Sequence, residues 1–266
     1  MSLSSDLKVS LVQTPLHWEN PEENYRHLSD LIRPLAGKTD LVVLPEMFTT
    51  GFSMDSARLA EPLNGPTLGW MVQTAQDLDA VVTGSIIVEE GGNYFNRLIW
   101  MQPDGHFQTY DKRHLFRMAE EDAHFEGGTA QLVVEWRGWR ICPLICYDLR
   151  FPVWSRNRYE NGAAAYDVLI YVANWPAARR TAWQTLLRAR AHENQVYVLG
   201  VNRVGEDGKG IAYAGDSAVI SPKGADLMEF ETNETGVKTA VLSAEALNDF
   251  RVKFPVGLDA DDFTLG

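Results

Sequence analysis

Cysteine is scarce in this chain: Cys142 and Cys146 are its only two among 266 residues. A small secreted scaffold held by disulfides would need more of them. The run Ile141-Cys142-Pro143-Leu144-Ile145 reads as a buried strand. That sets the two cysteines roughly 13 Å apart at about 3.3 Å per residue, well beyond the ~7 Å reach of a disulfide. Their spacing fits no common zinc pattern, and no metal or cofactor is expected. Positive charge is also in deficit, with 24 Lys and Arg against 36 Asp and Glu and a net charge of −12. A surface this acidic repels nucleic acid and anionic membranes, so neither is an expected partner. No apolar run approaches the roughly 20 residues of a membrane helix. Met1 to Lys8 lacks the basic-then-apolar layout of a signal peptide, which makes the cytoplasm the expected location. No linker or low-complexity stretch interrupts residues 1–266, which read as a single domain.

Short apolar strands alternating with helical patterns are what the chain does contain. Leu7 to Gln13 alternates like a strand. Asn20-Pro21-Glu22-Glu23 is a helix start, with a capping Asn, Pro at the first helical position and acids in the first turn. Strands are predicted over Leu41 to Leu44, Val81 to Val88, Tyr94 to Met101, Phe107 to Tyr110, Leu132 to Glu135 and Arg140 to Ile145. Further strands are predicted over Val168 to Val172, Tyr197 to Asn202, Ala218 to Ile220, Leu227 to Phe230 and Lys238 to Leu242. Helices are expected over Thr67 to Leu78, after Cys146 through Trp154 and Tyr159, over Arg179 to Asn194, and from Ser243. The glycine-rich stretch Gly205 to Gly210 precedes a strand rather than opening a helix, so it is a turn and not a phosphate loop. The mixture implies α/β layers rather than an all-parallel, doubly wound sheet.

Three chemically capable residues share one placement. Glu46, Lys112 and Cys146 each follow the C-terminal end of a strand-like run, where α/β sheets collect their sites. Taken singly, a cysteine after an apolar run is usually packing, and a loop Glu or Lys is usually a solvated charge. Cys142, inside its strand, keeps the packing role. Cys146 opens the turn Cys146-Tyr147-Asp148. A helix N-terminus there would lower the thiol pKa and aim the Tyr147 N–H at a developing oxyanion.

At these residues the chain resembles the carbon–nitrogen hydrolase (nitrilase) superfamily. The matching segments are Leu44-Pro45-Glu46, Tyr110 to Phe116, Leu144 to Pro152, Ala173-Asn174-Trp175-Pro176 and Arg188 to Gln195. They run in order from about residue 7 to about residue 255. The resemblance implies a Glu46–Lys112–Cys146 triad, a four-layer α-β-β-α sandwich, and a homodimer or larger assembly, with the tail from about residue 250 at a candidate interface. It also implies a second glutamate before Gly127-Gly128. Spacing favours Glu121, with Glu120 as the alternative, as a residue that positions the substrate amide or Lys112.

Cys146-Tyr147-Asp148-Leu149-Arg150-Phe151-Pro152 resembles the omega-amidase and Nit-type amidase branches rather than true nitrilases, and Asn174-Trp175-Pro176 is similar to bacterial omega-amidases. The implied substrate is a small ω-amide such as 2-oxoglutaramate, whose remote carboxylate Arg150 could clamp in a bidentate fashion. Arg150 could equally pair with Asp148. Asn174 joins the substrate-binding set, and Phe48, Phe116 and Trp175 could be apolar walls or ordinary core. Three alternatives stand beside this reading: a deaminated glutathione amidase, a papain-like pairing of Cys146 with His114, and a catalytically inactive binding module.

Overall fold

The computed structural model describes residues 3–160, 162–261 and 263–264. Strand β1 (Leu7–Gln13) leads into α1 (Pro21–Ile32), and the expected cap is present: Glu23 N–H donates to Asn20 Oδ1 at 3.3 Å. β2 (Leu41–Val43), α2 (Pro66–Leu78) and β3 (Val81–Glu90) follow, then the antiparallel pair β4 (Asn93–Met101) and β5 (Phe107–Asp111). The second half contributes β6 (Val134–Trp136), β7 (Trp139–Ile145), β8 (Val168–Ala173), α3 (Arg180–Asn194) and β9 (Tyr197–Asn202). It closes with β10 (Ala218–Ile220), β11 (Asp226–Glu229), β12 (Gly236–Leu242) and α4 (Ala244–Lys253). Gly205 to Gly210 lies in the small hairpin formed by Val204–Glu206 and Ala212–Ala214, the turn its composition implied.

Two sheets result. One runs β12-β1-β2-β3-β4-β5, with the two-residue strand Glu61–Pro62 beside β3; the other runs β11-β10-β9-β8-β7-β6. Each has a parallel trio at its centre, β1-β2-β3 and β7-β8-β9, with antiparallel strands outside. The period of two sorts their side chains into layers. Leu41, Val43, Val81, Leu98 and Trp100 face the second sheet in one large core. Val42, Val82, Ile99 and Met101 face Leu28, Ile32, Met71 and Ala75 of α1 and α2 in another. Trp183, Leu187 and Ala191 of α3 cover the far side of the second sheet. The architecture is the four-layer α-β-β-α sandwich. Both parallel trios end at the same edge of the sandwich, and that edge carries the site.

One predicted element is corrected. After Cys146 there is no long helix, only a five-residue 3-10 turn, Cys146–Arg150. Pro152 disfavours helical backbone at the residue before it, and Phe151 is accordingly extended at φ −112° and ψ 90°. Tyr159 lies instead in a two-residue strand paired with Ala163–Ala164. Beyond α4 the chain makes a short turn, Val256–Asp259; of the tail expected at an interface, Asp262 lies outside the described residues. No described helix is long and apolar enough to cross a membrane.

Candidate active site

Glu46, Lys112, Glu121 and Cys146 converge at that edge from three connections, Lys112 and Glu121 both lying between β5 and β6. Lys112 Nζ donates to Glu46 Oε1 at 2.8 Å and to both Glu121 oxygens at 2.9 Å. All three charged groups are at most 1% exposed. Two carboxylates and one ammonium in so dry a place are tolerable only if the remaining lone pairs are satisfied. They are: Asn96 Nδ2 donates to Glu46 Oε1 at 2.8 Å, Asn174 N–H to Glu46 Oε2 at 2.8 Å, and Phe116 N–H to Glu121 Oε2 at 2.6 Å. Of the two candidates for a second glutamate, the structure brings Glu121 to Lys112. Glu120 is exposed, with a left-handed backbone at φ 57°.

Local backbone explains how these groups are aimed. Cys146 has φ 43°, a left-handed conformation costly for a residue with a Cβ. It lifts the thiol out of the strand at a sharp turn, as nucleophile elbows do. Asp148 secures the turn. Its Oδ2 accepts from Ile145 N–H at 3.1 Å and Tyr110 O–H at 2.7 Å, and its Oδ1 accepts from His114 N–H at 3.0 Å. The carboxylate therefore ties the segment bearing Lys112 to the turn bearing Cys146. Gly128 approaches the same segment: its N–H donates to Lys112 O at 2.9 Å, and a Cβ would stand 2.2 Å from Asp111 O. Only glycine fits there, whatever precedes it.

Electrostatics correct a second expectation. With no helix behind the turn there is no macrodipole to draw the thiol pKa down. Burial instead pushes the Cys146 thiol well above its ordinary value, and the nearby Glu46 carboxylate pushes the same way against the smaller opposing pull of Lys112. Burial raises Glu121 as well, opposed by Lys112. For Lys112 burial acts downward, but Glu121 and Glu46 outweigh it and hold the ammonium charged. The resting site thus contains a protonated thiol beside a carboxylate and a permanent cation. Cys142, buried in β7 and pushed up to about 12, is packing.

The thiol opens into a cavity enclosing about 510 Å³, open solvent at its mouth included. Its walls include Phe52, Phe116, Tyr147, Asn174, Trp175 and Arg150, so Phe116 and Trp175 are walls as expected. Phe48 is not. It is fully buried on the other side of the sheet, tilted against Trp70 and seated on Gly84, because its side chain points into the helix-facing layer. Phe52, four residues on, takes the wall position, with Lys112 Nζ 5.1 Å from its ring centre. Asn174 lines the cavity and also holds Glu46, its Nδ2 donating to Glu46 O at 2.6 Å. Arg150 makes no ion pair among the described residues. Asp148 is already engaged, and the guanidinium lies over Trp175 at 5.0 Å. His114 Nδ1 is 2.8 Å from Asp148, its ring is stacked on Phe151 at 3.8 Å, and it does not line the cavity. The pairing of His114 with Cys146 therefore loses its support. Among the described residues, no group of three or more His, Cys, Asp or Glu is placed to hold a metal ion.

Sequence reasoning missed Asn96, which holds Glu46, and Phe52, Tyr213 and Arg179, which line the cavity. Asn96 sits beside Arg97 in β4, and Phe52 and Arg179 lie four residues from Phe48 and Trp175, so local spacing did not mark them; only Tyr213 comes from a distant segment.

The carbon–nitrogen hydrolase family model matches residues 8–251. The chain belongs to the carbon–nitrogen hydrolase family. It is 47% identical over 259 residues to the omega-amidase YafV of Escherichia coli strain K12, a match covering 97% of this chain and 98% of that one. It is 31% identical to a 2-oxoglutaramate amidase of Bacillus subtilis, over 93% of this chain and 95% of the other. Among solved structures, it superposes with a TM-score of 0.97 on a carbon–nitrogen hydrolase superfamily protein of Xanthomonas campestris that carries an arsenic adduct in its active site. That protein is 48% identical, and the match covers 99% of this chain and all of the other. For a carbon–nitrogen hydrolase, the loops that meet at this edge are the ones whose sequence carried the resemblance.

Proposed function

We propose that this carbon–nitrogen hydrolase is an omega-amidase, cleaving the terminal amide of a short carboxylate-bearing substrate such as 2-oxoglutaramate to the acid and ammonia. The observation that carries the reading is a single dry carboxylate, Glu46, hydrogen-bonded to the Lys112 ammonium at 2.8 Å and close enough to the Cys146 thiol to raise its pKa. Because the thiol rests protonated, attack requires a base at hand. Glu46 takes the proton as sulfur bonds to the amide carbon, and the carbonyl electrons move to an oxyanion held by Lys112 and the Tyr147 N–H. Glu46 then delivers the proton to the leaving nitrogen, the C–N bond breaks, and ammonia departs from a thioester. A water deprotonated by Glu46 attacks the thioester; the C–S bond breaks and sulfur recovers the proton. Glu121 orients Lys112 or the substrate amide. Phe116, Trp175 and Asn174 shape the cavity, and Arg150 receives the remote carboxylate.

Ammonia release from 2-oxoglutaramate tests this directly. Wild type is expected to turn over. Cys146→Ala is expected to release none, and Glu46→Gln to lose roughly 10²–10⁴-fold in kcat, the usual range for a general base. Residual activity in Cys146→Ala would contradict covalent catalysis. A larger kcat/KM on deaminated glutathione would move the assignment to that amidase, and no acylation of Cys146 by any ω-amide in mass spectra would favour the inactive binding module. We also propose a cytoplasmic homodimer paired through the C-terminal segment. Its support is the run of exposed apolar side chains at Val252, Phe254, Val256 and Leu258.

A further inference from the structure

The cavity over Cys146 contains two guanidinium groups that no carboxylate among the described residues neutralises. Arg150 closes the nucleophile turn, and Arg179 ends the 3-10 turn Ala177–Arg179 that leads into α3. Neither forms an ion pair among the described residues. The very next residue, Arg180, is gripped by Asp216 at 2.6 and 3.1 Å. Arg113, Arg156, Arg158 and Arg203 also form no ion pair among the described residues, so what sets Arg150 and Arg179 apart is that both line one cavity.

What holds them is aromatic. Arg150 lies over Trp175 at 5.0 Å and Arg179 over Phe116 at 5.2 Å. A ring face attracts a guanidinium through its quadrupole without consuming an N–H. The planar forks therefore keep the donors that match a carboxylate. Among the described residues, the one side-chain hydrogen bond of Arg179, Nη1 to Met118 Sδ at 3.6 Å, uses a weak acceptor. Its backbone is fixed, since its carbonyl accepts from Trp175 Nε1 at 2.9 Å. The positive end of the 15-residue helix α3 begins one residue later, with no acid in its first turn.

We infer that Arg179 joins Arg150 in a carboxylate subsite that selects ω-amides ending in a 2-oxo acid over neutral amides of the same length. This rests on the amidase reading above. Two forks suit a 2-oxo acid because its keto oxygen and carboxylate lie side by side at the end remote from the amide. Arg179 is a specificity determinant: it takes no part in the chemistry at sulfur.

The test compares 2-oxoglutaramate with pentanamide, which has the same chain length and no carboxylate, in wild type, Arg179→Gln and Arg179→Lys. Losing a charge-assisted hydrogen-bonding partner is expected to reduce discrimination between the two amides, as the ratio of kcat/KM, by roughly tenfold to a hundredfold. The loss should fall mainly on KM for 2-oxoglutaramate. Arg179→Lys, keeping the charge without the fork, should recover part of it. An unchanged ratio in Arg179→Gln would overturn the inference, as would equal losses on both amides, which mark a structural role. Calorimetry of glutarate binding to the same proteins separates the two readings. If wild type hydrolyses neither amide, the amidase assignment fails, and the subsite still stands or falls on whether glutarate binds wild type at least tenfold more tightly than Arg179→Gln.

Discussion

In the proposed reaction Cys146 is a nucleophile kept protonated until it is needed. Burial and the Glu46 carboxylate both disfavour the thiolate, and the Lys112 charge offsets them only in part. Alkylation of the free enzyme by iodoacetamide should therefore be slow at neutral pH, with a rate that keeps climbing past about pH 8.5, the ordinary thiol value. Removing the negative neighbour works in the opposite direction: in Glu46→Gln the profile should shift to lower pH, because the larger of the two carboxylate contributions is gone while burial and Glu121 remain. A wild-type plateau at or below about pH 8.5 would show a thiolate poised in advance and would remove the need for Glu46 as base. At this scale the three buried charges depend on one another, since Lys112 is compensated first by Glu121 and then by Glu46.

At the level of elements, the site depends on one carboxylate that is not among the reacting groups. Asp148 joins the end of β5, through Tyr110 and His114, to the end of β7, through Ile145 N–H. Trp154 Nε1 extends the network to Tyr110 Oη at 2.9 Å. Asp148→Ala removes the acceptor and leaves buried donors unpaired, so urea denaturation should show a loss of about 3 kcal/mol. Activity should fall more than stability requires at temperatures where the variant is folded, because Lys112 and Cys146 belong to different sheets and lose their common anchor. Unchanged stability would mean that water replaces the carboxylate without cost.

Across the whole molecule, the chain returns to its beginning. β12 pairs along the full length of β1, from Leu7 with Leu242 to Gln13 with Gly236. β1 is thereby an interior strand, with Leu7, Val9 and Leu11 in the central core and Val12 in the outer one. A chain ending before Gly236 would expose that backbone edge, an open template for pairing with other chains. Such a truncation should be insoluble or lack a cooperative melt by circular dichroism. A soluble, cooperatively folding product would show that the first sheet stands without its closing strand.

The sequence by itself determined the elements and the family. Leu7 to Gln13, Tyr197 to Asn202 and Ala218 to Ile220 are strands over the predicted residues, and Asn20 caps the predicted helix, because periodicity, caps and breakers act over a few neighbours. The same local rules made Glu46, Lys112 and Cys146 legible as strand-end residues. The missing helix after Cys146 was also a local matter: Pro152 was in plain view, and its effect on Phe151 outweighed the apolar pattern beyond it. Only the tertiary structure decided which glutamate meets Lys112, that Phe48 belongs to the core while Phe52 forms the wall, that Arg150 has no ion pair among the described residues, and that Arg179 lines the same cavity. Each of these turns on which face of a layer a side chain takes, or on a neighbour brought in from a distant loop, and neither is written in local spacing. The thiol's protonation state was misjudged for the same reason, since it is set by burial and by Glu46, a residue that only the packing of the two sheets brings to Cys146.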